Sequence, residues 1–285
     1  MNLTTTVNQK QLLDILLNVG LVRPVFIWGA VGIGKSSIVG QFAEQVGLPC
    51  VSLLGSQLAP ELLNGDDHFA YVIGYADGTV RPLDNISRAE VATIIFRLLD
   101  PDVRDEYLTT NNTFEDVNEG MWCNTAISTL ARLGIVYGRS TQVFDPDASI
   151  TRAEFAAICA RFDNSGIEAD SSFTDISGHW AEDEIELAAT LGWIRGYTDG
   201  TFRPNNLITR AEAMTMINRV LQRLPEDEDD LLDDMNVWPD NQPDEWYYLA
   251  VQEATNSHDF NRKSDGVHEH WTELTADPDW KQYEE

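Results

Sequence analysis

Gly196-Tyr197-Thr198-Asp199-Gly200-Thr201-Phe202-Arg203-Pro204, followed three residues later by Ile208-Thr209-Arg210-Ala211-Glu212, is the stretch on which the fold turns. The same string stands at Gly74 to Pro82 leading to Ile86-Ser87-Arg88-Ala89-Glu90, and in looser form at Gly138 to Pro146 leading to Ile150-Thr151-Arg152-Ala153-Glu154. Successive copies lie 64 and 58 residues apart, a period that marks repeated supersecondary units. Each copy runs into an apolar helix, over 91–99, 155–162 and 213–224.

A second element precedes two of the copies. Phe114-Glu115-Asp116 with Trp122, Ile127 and Gly134 matches Phe173-Thr174-Asp175 with Trp180, Ile185 and Gly192. In both, tryptophan leads glycine by 12 positions, which predicts a three-turn helix with a glycine at its C-terminal end. The first copy lacks this leading half, but Trp238-Pro239-Asp240 with Trp246 and Val251 offers it after the third. The C-terminal half-repeat is therefore expected to complete the N-terminal one, closing three helix pairs around a pseudo-threefold axis.

The recurring Ile-[Ser/Thr]-Arg-Ala-Glu predicts a capping box, with Ser87, Thr151 and Thr209 as N-caps and Glu90, Glu154 and Glu212 returning the bond. Arg88, Arg152 and Arg210 fall at the first helical position, beside free N–H groups and the positive end of the helix dipole. A guanidinium there makes a corner for a carboxylate; the other reading is an ion pair with a neighbouring copy. Trp122, Trp180 and Trp246 open their helices, and single aromatics at apolar spacing favour the core over a sugar-stacking platform. Gly78 and Gly200 supply the positive φ of the turn in copies one and three. Copy two departs from it at Arg139, Gln142 and Asp145, so its cleft is the weakest binding candidate. Arg81 and Arg203 either support the turn or reach a ligand.

These residues resemble the S-layer homology (SLH) family over roughly 67–258. The resemblance implies a mainly α, three-pronged helical module. It also implies non-covalent anchoring of surface proteins to an acidic, often pyruvylated, bacterial secondary cell-wall polysaccharide, without catalysis. The motif arginines would line grooves between prongs, so Arg88, Arg152, Arg210, Trp122, Trp180 and Trp246 are the polymer-binding candidates. The organisation expected is SLH copy one (second half) over 64–106, copy two over 107–165, copy three over 166–225, an acidic linker over 226–236, the closing half over 237–258 and a polar, loosely ordered tail over 259–285.

Residues 1–63 read differently. They hold three bases and three acids, whereas residues 64–285 carry the whole net charge of −28. A short strand, 24–28, leads into Gly29-Ala30-Val31-Gly32-Ile33-Gly34-Lys35-Ser36, which fits the P-loop pattern, and a helix follows. Gly29, Gly34, Lys35 and Ser36 would cradle phosphate and hold magnesium. The stretch resembles the start of a MoxR-type AAA+ ATPase, a short truncated α/β P-loop fragment. No Walker B acid, sensor or arginine finger is recognisable later, so ATP hydrolysis is not expected. Weak ATP–magnesium binding at 29–36 is the one cofactor allowed for, and none is required. The alternative functions are therefore a nucleotide-binding P-loop protein, or a fusion in which neither part works.

Composition bounds the rest. With 47 Asp+Glu against 19 Lys+Arg among 285 residues, nucleic acid and anionic lipid are poor partners. Cys50, Cys123 and Cys159 give no disulfide framework. No apolar run reaches the ~20 residues of a membrane span. The N-terminus lacks signal-peptide features, so the resemblance implies the cell surface while the chain as given reads as cytoplasmic. His258, His268 and His270 show no metal-ligand spacing and are expected to hold no metal; the acidic run 226–230 lacks an EF-hand pattern.

Overall fold

A computed structural model describes residues 63, 67–163, 167–170 and 173–284. The P-loop residues Gly29, Gly34, Lys35 and Ser36, and with them the α/β fragment, lie outside the described residues. Seven α-helices occur among those described: α1 (Arg88–Leu98), α2 (Pro101–Tyr107), α3 (Asn124–Leu133), α4 (Arg152–Ala160), α5 (Glu182–Thr190), α6 (Arg210–Val220) and α7 (Tyr248–Thr255). The fold is mainly helical, with one antiparallel hairpin of β1 (His258–Arg262) and β2 (Glu269–Leu274).

The helices start where the motif places them. Ser87, Thr151 and Thr209 each accept from the N–H of Glu90, Glu154 and Glu212, and each glutamate returns a bond to the cap N–H. Closing both orphan donors defines the first turn of α1, α4 and α6. Gly134 ends α3 at φ 73°, where a side chain would be strained.

The three copies are tied in a closed cycle of backbone hydrogen bonds. Ile86 donates to Ile208, Ile208 to Ile150 and Ile150 to Ile86, at 3.1–3.2 Å, and all three side chains are buried. Arg88, Arg152 and Arg210 add N–H bonds to Ala148, Asn206 and Asp84 of the next copy, each at 2.9 Å. Around this ring α1 packs on α3, α4 on α5 and α6 on α7. Each turn is held differently, by a leading-half aspartate. Asp116 accepts from Phe144 and Asp145 N–H at 2.9 and 2.7 Å, and Asp175 from Phe202 and Arg203 at 2.8 Å. Asp240, ahead of α7, accepts in the same way from Val80 at 3.1 Å and Arg81 at 2.7 Å. Arg81, Asp145 and Arg203 take positive φ (49°, 64° and 59°) so that two successive N–H groups point at one carboxylate.

Two expectations fail in the C-terminal part. The tail is not loosely ordered: Trp271 and Trp280 are buried, and Trp280 donates from its indole to Ala70 O at 3.0 Å. Nor is 226–236 solvated along its whole length: its other acids are exposed, but two residues are anchored. Asp230 is buried and pairs with Lys263 at 2.8 Å, while Leu231 packs with Tyr248 and Trp271. The aromatic anchors bury enough area to order an otherwise polar stretch.

Candidate functional site

Two of the motif arginines, Arg88 and Arg210, line clefts, and all three make the same kind of contact to the next copy. Arg88 donates from Nε to Phe144 O (2.9 Å), from Nη2 to Tyr137 O (2.8 Å) and from Nη1 to Glu154 (3.0 Å). Arg152 repeats the set with Phe202 O (2.9 Å), Arg195 O (3.0 Å) and Glu212 (3.2 Å). Arg210 bonds Val80 O at 2.9 Å and Glu90 at 2.6 Å. All three arginines are buried. Each thus makes the ion pair with a neighbouring copy that was weighed against a free carboxylate corner. A guanidinium has five N–H groups, so these bonds do not use the full donor set of any of the three.

The tryptophans go the other way from the core reading. Trp122, Trp180 and Trp246 are 43%, 62% and 65% exposed, whereas the next residues, Cys123, Ala181 and Tyr247, are buried. The buried stripe is Cys123–Ile127, Ala181–Ile185 and Tyr247–Val251, each at i, i+4, and the tryptophans stand one position off it. Trp180 borders a cleft of about 260 Å³ with Arg88, Tyr137, Arg139, Glu154 and Arg161. Trp122 borders one of about 420 Å³ with Tyr75, Glu90, Arg97, Arg210 and Glu284.

A second set of arginines went unnoticed in the sequence. Arg97, Arg161 and Arg219 each follow a motif arginine by nine residues, a repeated signal that was available. Arg161 lies over the Tyr137 ring at 4.6 Å and donates to Ile135 O at 2.5 Å. Arg97 pairs with Glu284 at 2.6 Å. Burial is the main force lowering the pKa of Arg88, Arg97, Arg161 and Arg219, yet arginine keeps its charge at any ordinary pH. Arg139, in the irregular turn of copy two, pairs with Asp145 at 3.2 Å and reaches Glu154 at 3.9 Å. Arg81 and Arg203 support their turns, pairing with Asp77 and Asp199 at 2.8 and 2.9 Å and lying over Tyr75 and Tyr197.

The cleft beside copy two is consequently a cationic hollow in an anionic protein. Three arginines and one glutamate line it, with an indole at the lip. Such a lining has the charge and the aromatic face that suit an anionic, ring-shaped group. Among the described residues no helix is long and apolar enough to cross a membrane.

The S-layer homology domain matches residues 70–92, 113–156 and 172–214. The chain is 35% identical over 209 residues to cell surface glycoprotein 1 of Acetivibrio thermocellus, covering 69% of this chain and 9% of that protein. It is 38% identical over 165 residues to the cellulosome-anchoring protein of the same organism, covering 56% and 37%. To the S-layer protein of Bacillus licheniformis it is 31% identical over 150 residues, covering 51% and 17%. The chain thus spans a minor part of each relative. The matched segments are the three copies that close into one hydrogen-bonded cycle, and this part of the chain belongs to the S-layer homology domain family.

Proposed function

We propose that the chain anchors non-covalently to an acidic bacterial cell-wall polysaccharide, through the clefts between the prongs of a pseudo-threefold module and without catalysis. The observation that carries this reading is the pairing, cleft by cleft, of a buried motif arginine with an outward tryptophan. Arg88 with Trp180 and Arg210 with Trp122 form two such clefts. Arg152 repeats the arginine–glutamate contact at the third junction, and Trp246 stands outward at the equivalent place in the last half-repeat. A carboxylate-bearing sugar would accept from the remaining arginine N–H groups while its ring face stacks on indole. The names of the relatives, a cellulosome-anchoring protein and an S-layer protein, support the same reading.

Because two or three shallow sites act together on one polymer, the affinity is an avidity. Co-sedimentation with purified wall sacculi tests it. Binding to intact sacculi, and not to sacculi stripped of their secondary polymer, is the expected result. Equal binding to both, or to neither, from a folded protein would remove the proposal.

A further inference from the structure

His68, Glu253, His258 and Glu269 come together at the seam where the first copy meets the C-terminal hairpin, and all four side chains have 0% exposure. His68 precedes copy one, Glu253 lies on α7, and His258 and Glu269 sit on β1 and β2. His68 Nδ1 is 3.4 Å from Glu269 Oε1, 3.7 Å from Glu253 Oε1 and 3.4 Å from His258 Nε2. His258 Nε2 is 3.4 Å from Glu253 Oε2 and 3.8 Å from Glu269 Oε1. These separations exceed the ~2.9 Å of good N–H···O bonds. They match instead the edge of a tetrahedron around zinc, roughly 3.3–3.6 Å for ligand bonds of 2.0–2.2 Å.

The protonation pattern leads to the same place. His258 Nδ1 lies 3.0 Å from Asn256 O, and a carbonyl can only accept, so Nδ1 carries the proton. Its Nε2 lone pair then faces two carboxylates and the Nδ1 of His68. The outer oxygens are occupied, Glu253 Oε2 by the Trp271 indole (2.9 Å) and Glu269 Oε2 by Arg262 (3.2 Å). The inner oxygens, Glu253 Oε1 and Glu269 Oε1, are buried and have no hydrogen-bond partner among the described residues. Buried acceptors facing one another without a cation are costly. Arg223, wholly buried, acts on both carboxylates through the local field and donates to the carbonyls of Asp67 and Phe69. Both imidazoles are held by stacking, His68 on Phe260 at 3.8 Å and His258 on Trp271 at 3.9 Å. A surface cleft lined by Phe69, Thr272 and Pro278 reaches both histidines and offers an entry path.

We propose that His68, Glu253, His258 and Glu269 form a closed, four-coordinate site for a divalent transition-metal cation, zinc by its two-nitrogen, two-oxygen donor set. A bound ion would clasp residue 68 to the hairpin and contribute its binding energy to the fold.

The full-length chain, stripped with a chelator and titrated with zinc chloride, tests this. One zinc per chain should bind, raising the thermal midpoint by roughly 5–10 °C at a hundredfold excess over the dissociation constant. Cobalt(II) should give the intense visible absorption of a tetrahedral site. Glu253→Gln and His258→Ala should each weaken uptake by roughly tenfold to a hundredfold. His268→Ala, in the exposed Glu226–Asp265–His268 group, should leave it unchanged. If a variant does not fold, the cobalt spectrum of the unaltered chain decides: weak octahedral absorption overturns the site. So does a folded, stripped chain that takes up no zinc, or uptake that follows His268 instead of His258.

Discussion

The cleft beside copy two and the cleft beside copy one share a frame: a motif arginine paired to the next copy's glutamate, a tyrosine and a tryptophan at the lip. They differ in what neutralises the second arginine. In the copy-one cleft Arg97 is met by Glu284 from the C-terminal turn, so its two arginines face two glutamates. In the copy-two cleft Arg161 bonds a carbonyl, and Arg139 stands where copies one and three have tyrosine, so three arginines face one glutamate. The irregular turn brings Arg139 together with its own partner Asp145, so the cationic excess of this cleft rests on Arg161, which meets a carbonyl where Arg97 meets a carboxylate. Equivalent positions in sibling repeats can differ in charge through what the rest of the chain sets against them.

Several substitutions would break or sharpen that contrast. The largest effect is expected from Arg88→Ala, which leaves two carbonyls unpaired and Glu154 with only its cap bonds and the more distant Arg139. A loss of about 2–3 kcal/mol in urea-unfolding free energy should follow, below the full cost of breaking a wholly buried pair because Glu154 is partly exposed. Trp180→Ala should leave the thermal midpoint where it is and weaken sacculus binding by about fivefold to tenfold, in line with ~1 kcal/mol of aromatic contact. A drop in midpoint without a drop in binding would make Trp180 a packing residue after all. Glu284→Gln should free Arg97 and strengthen polymer binding about twofold to threefold, measured on sacculi at low salt, with stability changed by less than ~1 kcal/mol. Weaker binding would instead mean that Glu284 props the cleft open.

The smallest effect concerns the turn itself. Burial opposes the charge on Asp116, but the N–H groups of Phe144 and Asp145 outweigh it and hold the carboxyl below its ordinary value. The unfolded chain therefore takes up this proton first as pH falls. The stabilisation is complete above the ordinary aspartate range and fades as pH drops through the lower folded value. Asp116→Asn should flatten that part of the acid limb in pH-dependent unfolding curves.

What could be read in advance was local. The capping boxes and the turn glycines need only residues within one copy, so the string at 196–212 carried them. The tryptophans were misjudged because apolar character was weighed ahead of register: Trp180 stands five residues before Ile185, off the buried i, i+4 stripe. Arg97, Arg161 and Arg219 were missed although their offset of nine repeats three times. The buried His68, Glu253, His258 and Glu269 group had no such sign. Its members come from positions up to 201 residues apart and meet only because the ring closes. Likewise, Asp230 looked solvated until Lys263, on the far side of the hairpin, gave it a partner.

The bridge between His68 and His258, where the His258 N–H bonds His68 O at 2.8 Å, puts the entry and exit of the repeat ring side by side. In mechanical terms, tension applied across these two points loads the seam directly and leaves the three helix pairs slack. The ring would then resist a pull as a knot resists one on its two free cords: by the strength of a single crossing, with the repeats unstrained behind it.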